Sequence, residues 1–498
     1  MKKYIFIALI SLAALVSCSK ETLNPEPSNA VSDEQIFSSV ESARTALNSG
    51  MSFIGSYISL TLGTVMAEVM GEDAAMSSGA YGFPTYNWNL YSYTYSQVPA
   101  SDPWWFGYAN YIWPADYHGI DAANSILQYV SEMDDEAGKD NLLGQAYAIR
   151  GFLYLRLIRL FAPAYTTNAD APGVILRLEP ANAASENLPR SSVKAVYAQI
   201  ISDFEDAYDL ITNTSTDYFT KQNVALFMAR AYQDMADWAN AKKYAEIAAG
   251  NVFNGSNLMS PAQWQSGFKD HNDEWLMYFN FIPATSNYYA SIPSFYYLAD
   301  GYDTAAEDGK VDFEEWPNGW NMLDGYSTVR WTKRFRDSFE DSDCRKMFPF
   351  YFYAEDGYFT NKFGHRWYGD DVTIGDAEFP LARIAEAYLI EAEALAQTGG
   401  DAKSVLNALQ KARGASETDG SLENIYMERR KELYGEGFRL HDLRRLHQPL
   451  DRTQDPEHWA EVKSLPADSP RFMLPIPEVE MLYNHALTAA DQNEYWRK

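Results

Sequence analysis

The sequence has few of the residues that metal sites and disulfide frameworks require. Its 498 residues include two cysteines and seven histidines. Neither cysteine belongs to a C-x-x-C pair and no H-E-x-x-H pattern occurs, so the spacings typical of zinc sites are missing. No Walker-type or G-x-G-x-x-G loop occurs either. The sequence therefore predicts no cofactor, no metal site and no catalytic residue.

Positive charge is also scarce. The chain has 40 lysine and arginine residues against 68 aspartate and glutamate residues, which gives a formal net charge of −28. Binding to nucleic acid needs a basic surface that neutralises phosphates, so this composition argues against a nucleic-acid partner. Adsorption to an anionic lipid surface is disfavoured for the same reason. An acidic protein suits a neutral or a cationic ligand.

Apolar runs long enough to cross a membrane are missing as well. The longest run, from Tyr4 to Val16, has 13 residues, whereas a membrane-spanning helix needs about 20. Lys2 and Lys3 precede this run, and a positive start followed by a short apolar stretch is typical of a secretory signal peptide. We therefore predict a secreted chain without a transmembrane helix.

The end of the apolar run indicates a lipid anchor. The tetrapeptide at 15–18, Leu-Val-Ser-Cys, resembles a bacterial lipobox, in which the cysteine receives a diacylglycerol and becomes the mature N-terminus. We predict that residues 1–17 are a lipoprotein signal peptide and that Cys18 is the lipidation site. The polar, proline-containing residues that follow predict a flexible tether over 18–32.

Helical periodicity dominates three parts of the chain, at about 33–80, 111–250 and 380–445. Within 220–250 and 380–412, two amphipathic helices follow each other closely, with alanines between the larger apolar residues. This pattern is typical of a tetratricopeptide-type hairpin, which buries its apolar faces by stacking on its neighbours. We predict a mostly α fold, built on a scaffold of tetratricopeptide-like helical hairpins.

Two regions lack this periodicity and are dense in aromatic residues, at about 81–110 and 251–379. They are also rich in glycine, proline, asparagine and aspartate, which predicts a loop-rich lobe with short β-strands. Long loops in a compact protein are usually functional. We therefore expect the ligand to bind in this lobe.

Some aromatic residues of this lobe have the chemistry of a sugar site. An exposed tryptophan can cover the apolar face of a sugar ring, while a neighbouring amide or charged group binds the hydroxyls. Tryptophans that stand next to an amide or to each other select the following candidates for glycan contact: Trp88, Asn89, Trp104, Trp105, Trp316, Trp320 and Asn321. The alternative for each ring is packing in the core.

Three glutamates, Glu428, Glu432 and Glu436, recur at intervals of four residues among arginines. This spacing could hold carboxylates for acid–base chemistry, but it is also the spacing of ion pairs along a helix. We favour the structural interpretation.

Several motifs lie along the chain in a fixed order. They are Arg150-Gly151-Phe152-Leu153-Tyr154, Arg383-Ile384-Ala385-Glu386-Ala387-Tyr388-Leu389, Glu428-Arg429-Arg430-Lys431-Glu432-Leu433 with Glu436-Gly437-Phe438-Arg439 and Asp442-Leu443-Arg444-Arg445, and Leu474-Pro475-Ile476-Pro477-Glu478. Together with the lipobox, they make the chain resemble the SusD/RagB family of outer-membrane nutrient-binding lipoproteins.

The resemblance implies a single SusD-like domain over residues 33–498, with the ligand site in its loop-rich lobe. It also implies a partner, because family members act as lids on a TonB-dependent, SusC-like transporter in the outer membrane. We expect non-catalytic binding of an oligosaccharide at the cell exterior, with the lipid as the only membrane attachment. Three alternatives stay open: a peptide-binding, RagB-like lid, a glycoside hydrolase with two carboxylates across a cleft, and a lipoprotein scaffold without a ligand.

Overall fold

A computed structural model describes most of the chain. It describes residues 33–55, 60, 63–76, 90–93, 109–134, 137–182, 185–281, 291–296, 328–348, 357–364 and 377–497. The α-helices in these ranges are α1 Asp33–Ile36, α2 Val40–Gly55, α3 Gly63–Val69, α4 Ala109–Ser131, α5 Lys139–Phe161, α6 Val193–Leu210, α7 Lys221–Asp234, α8 Trp238–Ala248, α9 Pro261–Gln265, α10 Ile292–Tyr296, α11 Lys333–Asp337, α12 Ile384–Thr398, α13 Ala402–Ala412, α14 Leu422–Leu433, α15 Arg439–Arg445 and α16 Glu478–Tyr483.

The strands in the described ranges are short and pair two by two. They are β1 Ala74–Met76, β2 Trp275–Phe281, β3 Val329–Trp331, β4 Ala377–Arg383, β5 Leu450–Asp451 and β6 Ser464–Leu465. All three pairs, β1 with β3, β2 with β4 and β5 with β6, are antiparallel. The predicted fold class, mostly helical with short strands, is confirmed.

The long helices form one continuous array. Each packs against the next in the order α2, α4, α5, α6, α7, α8, α12 and α13. Between α5 and α6, the Arg150 guanidinium binds both carboxylate oxygens of Asp203, at 3.0 and 2.7 Å. Gly151 lets the two helices approach, because a Cβ there would lie 3.0 Å from the Phe204 ring. Close-packed neighbours of this kind are what the amphipathic pattern predicts.

Both predicted helical hairpins are present, as α7–α8 and α12–α13. Thr220 and Asn223 cap the start of α7 reciprocally, and Asp237 caps α8 by accepting the backbone N–H of Asn240 at 3.2 Å. In the second hairpin, Gly399 ends α12 with a φ of +78°, a conformation that favours glycine. The hairpin turns are therefore encoded locally, by caps and by one glycine.

A buried cluster of charged side chains joins this array to the strands and loops that follow it. This central ion network consists of Glu274, Asp343, Arg345, Lys362, Arg383, Arg413, Glu428, Glu432 and Glu436. Its members come from the residue before β2, the end of β4, the residue after α13, from α14 and the turn that follows it, and from the loops at 343–345 and 357–364.

Glu432 is at the centre of the network. Its carboxylate is within 3.1 Å of the guanidinium groups of Arg345, Arg383 and Arg413. Burial alone would raise the pKa of the Glu432 carboxyl, but the arginines outweigh it and hold that pKa well below its usual range. The indole of Trp264 packs against the arginines of this network, and the Arg413 guanidinium lies 4.8 Å from the centre of the indole ring.

The structure supports the structural interpretation of the three glutamates and corrects its geometry. Glu428, Glu432 and Glu436 are bound by basic groups, but their side chains are at most 5% exposed and do not lie along an exposed helix face. Moreover, Glu436 lies beyond the last residue of α14 and pairs with Lys362 and Arg383. The partners come from distant segments, which a spacing along one helix cannot reveal.

We expect Glu432→Ala to destabilise the protein by about 3–5 kcal/mol, because it leaves three buried guanidinium groups without their shared acceptor. Urea unfolding at neutral pH measures this loss. The control is Glu41→Ala, which removes an exposed pair with Arg44 at 2.9 Å, and its effect should stay below about 1 kcal/mol. Equal losses for the two variants would contradict the central role of the network.

Glu68 predicts a dependence of stability on pH. It is buried in α3 and accepts the backbone N–H groups of Gly437 and Phe438 at 2.9 and 3.0 Å. Burial raises the pKa of this carboxyl from 4.5 to about 7, against the lowering effect of those N–H groups. The folded state thus holds the proton more tightly than the unfolded state, so this group makes the protein less stable as the pH rises from about 4.5 to 7.

Glu68→Gln resembles the protonated acid and keeps the acceptor oxygen. We expect this variant to lose less stability than the wild type as the pH rises from about 4.5 to 7. The difference should grow with pH to the order of 3 kcal/mol. Urea unfolding of both proteins at several pH values between 5 and 8 measures it. Parallel pH profiles would show that Glu68 is charged throughout.

Candidate functional site

The residues predicted to contact a glycan all lie outside the described ranges. The same holds for the predicted signal peptide, for Cys18 and for the tether. Their roles therefore stay predictions, and the residues concerned are Trp88, Asn89, Trp104, Trp105, Trp316, Trp320 and Asn321. The structure describes the points at which the chain enters and leaves the segments that carry them.

Two of these entry points lie side by side on the β1–β3 pair. Met76, the last residue of β1, pairs with Val329, the first residue of β3. Segment 77–89 follows Met76 directly, and segment 297–327 ends just before this strand. Helix α10, which precedes 297–327, packs on β3, with the rings of Tyr296 and Trp331 6.2 Å apart. The start of 77–89 and both ends of 297–327 thus lie on one small structural unit.

Arg452 holds the end of segment 77–89 next to the β1–β3 pair. Its fully buried guanidinium donates to the carbonyl oxygens of Val69, Gly71 and Tyr91, at 2.6, 2.8 and 2.6 Å. Tyr91 belongs to residues 90–93, which separate segment 77–89 from segment 94–108. Because one side chain binds both the residues before β1 and Tyr91, the ends of these segments are held together.

A chain of hydrogen bonds continues from Tyr91 into residues 455–459. The Nε2 atom of His458 lies 2.9 Å from the carbonyl oxygen of Glu72, which can only accept, so Nε2 carries the proton. The Nδ1 atom is then the acceptor for the Tyr91 hydroxyl at 3.0 Å, and that hydroxyl accepts the backbone N–H of Trp459, also at 3.0 Å. Burial, together with the nearby positive charge of Arg452, lowers the pKa of His458 to about 3.

We call this assembly the loop anchor and define it by residues 69–76, 90–93, 292–296, 328–337 and 452–459. It gathers both ends of segments 77–89 and 297–327 and the start of segment 94–108. The sequence analysis missed its key side chains, Arg452 and His458, because their partners are known only from the fold. It also missed Trp459, whose side chain is 53% exposed. A lone tryptophan in a polar stretch was the one available signal.

A cleft lies elsewhere in the described residues, between α4, residues 175–187 and α16. Its volume is about 470 Å³. The indole N–H of Trp113 donates to Glu480 at 3.2 Å, and the Tyr117 hydroxyl bonds the backbone of Ile175. Trp113 is buried and Tyr117 half-buried, and both residues line this cleft.

The described residues contain no cluster of three or more His, Cys, Asp or Glu side chains that could hold a metal ion. Within the same ranges, every helix is too short or too polar to cross a membrane.

Comparisons with known proteins identify two matching family descriptions. Residues 42–233 match the family described as starch-binding and associating with the outer membrane, and residues 270–496 match the SusD family. Among curated proteins, SusD-like protein P38 of Formosa agariphila is 23% identical and the match covers 90% of this chain and 91% of that protein.

Solved structures show the same likeness. A SusD-like carbohydrate-binding protein from Bacteroides vulgatus is 26% identical, with a TM-score of 0.73 over 91% of this chain and 98% of that chain. A laminarin-binding SusD-like protein is 21% identical and shares the fold, with a TM-score of 0.69 over 91% and 98% of the two chains. The resemblance found in the sequence motifs is confirmed, and the chain belongs to the SusD/RagB family.

Proposed function

We propose that this protein is a non-catalytic glycan-binding lipoprotein of the outer membrane that captures an oligosaccharide at the cell exterior. It delivers the sugar to a TonB-dependent, SusC-like transporter. The observation that carries the proposal is the loop anchor, which holds both ends of the segments that contain Trp88, Trp316 and Trp320 and the start of the segment that contains Trp104. Membership of the SusD/RagB family, and the Bacteroides vulgatus relative with a carbohydrate-binding name, support the same ligand class.

The loop anchor favours binding because it reduces the conformational entropy that the loops lose when the ligand binds. A loop that is fixed at both ends loses less conformational entropy on binding than a free one, which leaves more of the interaction energy for affinity. A sugar has no net charge in its common forms, so its affinity depends on ring contacts and on correctly placed hydrogen bonds. Aromatic residues on fixed supports provide both.

The state of the buried carboxylates supports a role without catalysis. Glu274, Glu432 and Glu436 are each bound by arginines at 2.5–3.0 Å. A glycoside hydrolase needs an acid and a base that face each other across the scissile bond. These three carboxylates instead form buried ion pairs with arginines and connect secondary-structure elements. Release of reducing sugar by the purified protein would restore the hydrolase alternative.

The peptide-binding alternative rests on the net charge of −28, which suits cationic side chains. It keeps the same lipid anchor and the same transporter and changes only the ligand. The binding experiment therefore includes basic peptides beside the sugars.

We expect isothermal titration of the lipid-free protein to detect binding of at least one of maltohexaose, laminarihexaose, xylohexaose and mannohexaose. Trp316→Ala and Trp320→Ala should each weaken that binding tenfold or more, because a stacked ring contributes more than about 1.4 kcal/mol. Tyr483→Ala is the control, because this ring is 72% exposed on α16 and should leave binding unchanged. Tight binding of basic peptides and of no sugar would favour the peptide-binding alternative.

We expect Cys18→Ala to move the protein from the outer-membrane fraction to the soluble fraction, because acyl chains on this residue are the proposed attachment. Immunoblotting of fractionated cells measures the shift, and mass spectrometry of the N-terminal peptide detects the lipid. The control is Cys344→Ala, because Cys344 is buried and burial raises the pKa of its thiol to about 12. Retention of Cys18→Ala in the membrane would contradict the lipid anchor.

A further inference from the structure

A small basic pocket lies between α5, α6, α7 and α15. Its volume is about 20 Å³, which is room for one water molecule or one small ion. The polar side chains that line it are Arg159, Tyr197, Asp234, His441, Arg444 and Arg445. Three guanidinium groups and one carboxylate thus meet here, in a protein whose formal net charge is −28.

The charged groups of this basic pocket are shielded from solvent. The side chains of Arg159, Asp234 and Arg445 are at most 9% exposed, and Arg444 is buried as well. The loop at 163–165 completes the lining, and its residues are half-buried. Water screens charges weakly in such a place, so the excess of guanidinium groups over carboxylates has a strong local effect.

Arg159 has donors that the described residues leave without an acceptor. Its Nε atom lies 3.1 Å from a carboxylate oxygen of Asp234, and the same oxygen accepts the Tyr197 hydroxyl at 3.2 Å. Nevertheless, neither Nε nor Nη2 of Arg159 has a hydrogen-bond partner within the described ranges, although both atoms are buried. A buried donor without an acceptor is destabilising, and more so when the group is charged.

His441 lies beside these donors and also has a buried ring nitrogen, Nδ1, without a hydrogen-bond partner among the described residues. Burial holds the pKa of the His441 ring well below 6.5, and the positive charges of Arg159, Arg444 and Arg230 act in the same direction. The ring is therefore neutral at physiological pH, and it leaves the positive charge of the pocket to the arginines.

We propose that the basic pocket binds one small inorganic anion, for which chloride is the probe, next to Arg159 and His441. A water molecule would accept a hydrogen bond, but an anion also balances the surplus of positive charge. Arg444 already joins α15 to the end of α5, because it donates to the carbonyl oxygens of Arg159 and Ala162. The anion adds a second link between these helices, and this role is independent of the ligand of the loop-rich lobe.

Thermal unfolding of the lipid-free protein in sodium chloride tests the proposal. The unfolding temperature should rise with the chloride concentration to a plateau, by at least about 1 °C, because the anion binds only the folded state. Sodium gluconate at the same ionic strength should lack this saturable rise, because its anion is too large for the pocket. In crystals soaked in bromide, anomalous diffraction should locate an ion next to Arg159 and His441.

Two double variants compare matched ion pairs. Arg159→Gln with Asp234→Asn removes both charges of the pair in the pocket and leaves neither partner alone, and it should abolish the chloride plateau. Arg150→Gln with Asp203→Asn removes a buried pair between α5 and α6 that does not line the pocket. This control should keep the plateau, even where its unfolding temperature is lower.

A wild type without a chloride plateau and without bromide at the pocket would overturn the proposal, since water would then be the partner of Arg159. A plateau that persists in Arg159→Gln with Asp234→Asn, or bromide bound only at the protein surface, would place the anion elsewhere and also overturn it. If that variant does not fold, the position of bromide in the wild type decides between the two results.

Discussion

The fold depends on the mutual neutralisation of charges around Glu432 in its interior. A guanidinium or carboxylate that is buried without a partner is strongly destabilising, so each member of the central ion network needs the others in place. Arg383 is the last residue of β4, Arg413 follows α13 and Glu274 precedes β2. Their ion pairs form only when all three elements are in place. The network thus couples the folding of the helical array to the folding of the β2–β4 pair.

In the loop anchor, too, buried polar groups need their partners in place, but most of these groups are neutral. Arg452 donates to the carbonyl oxygens of Val69, Gly71 and Tyr91, and the Tyr91 hydroxyl donates to His458, which donates in turn to the carbonyl oxygen of Glu72. Buried polar networks of this kind hold only when every member is satisfied, which makes their geometry specific. A binding protein benefits from such specificity, because the supports of its contact residues are in place before the ligand arrives.

Local features were predictable from the sequence, and features that depend on distant partners were not. The α7–α8 and α12–α13 hairpins follow from helical periodicity, from Asp237 as a cap and from Gly399 as a stop. The ion pairing of Glu432 was also predictable, but its burial was not, since its partner Arg383 lies 49 residues away in another element. Tyr91 and His458 are separated by 367 residues, so no pattern in the sequence connects them.

The two networks also explain how a strongly acidic protein can bind a neutral ligand. Its buried arginines serve the fold: Arg345, Arg383 and Arg413 neutralise carboxylates, while Arg452 binds backbone oxygens. Steering by charge contributes little for an uncharged sugar, so affinity must come from contact area on surfaces that are already ordered. Aromatic rings supply that area with few rotatable bonds. The sugar binding that we propose therefore depends on aromatic contacts in segments whose ends the interior networks hold in place.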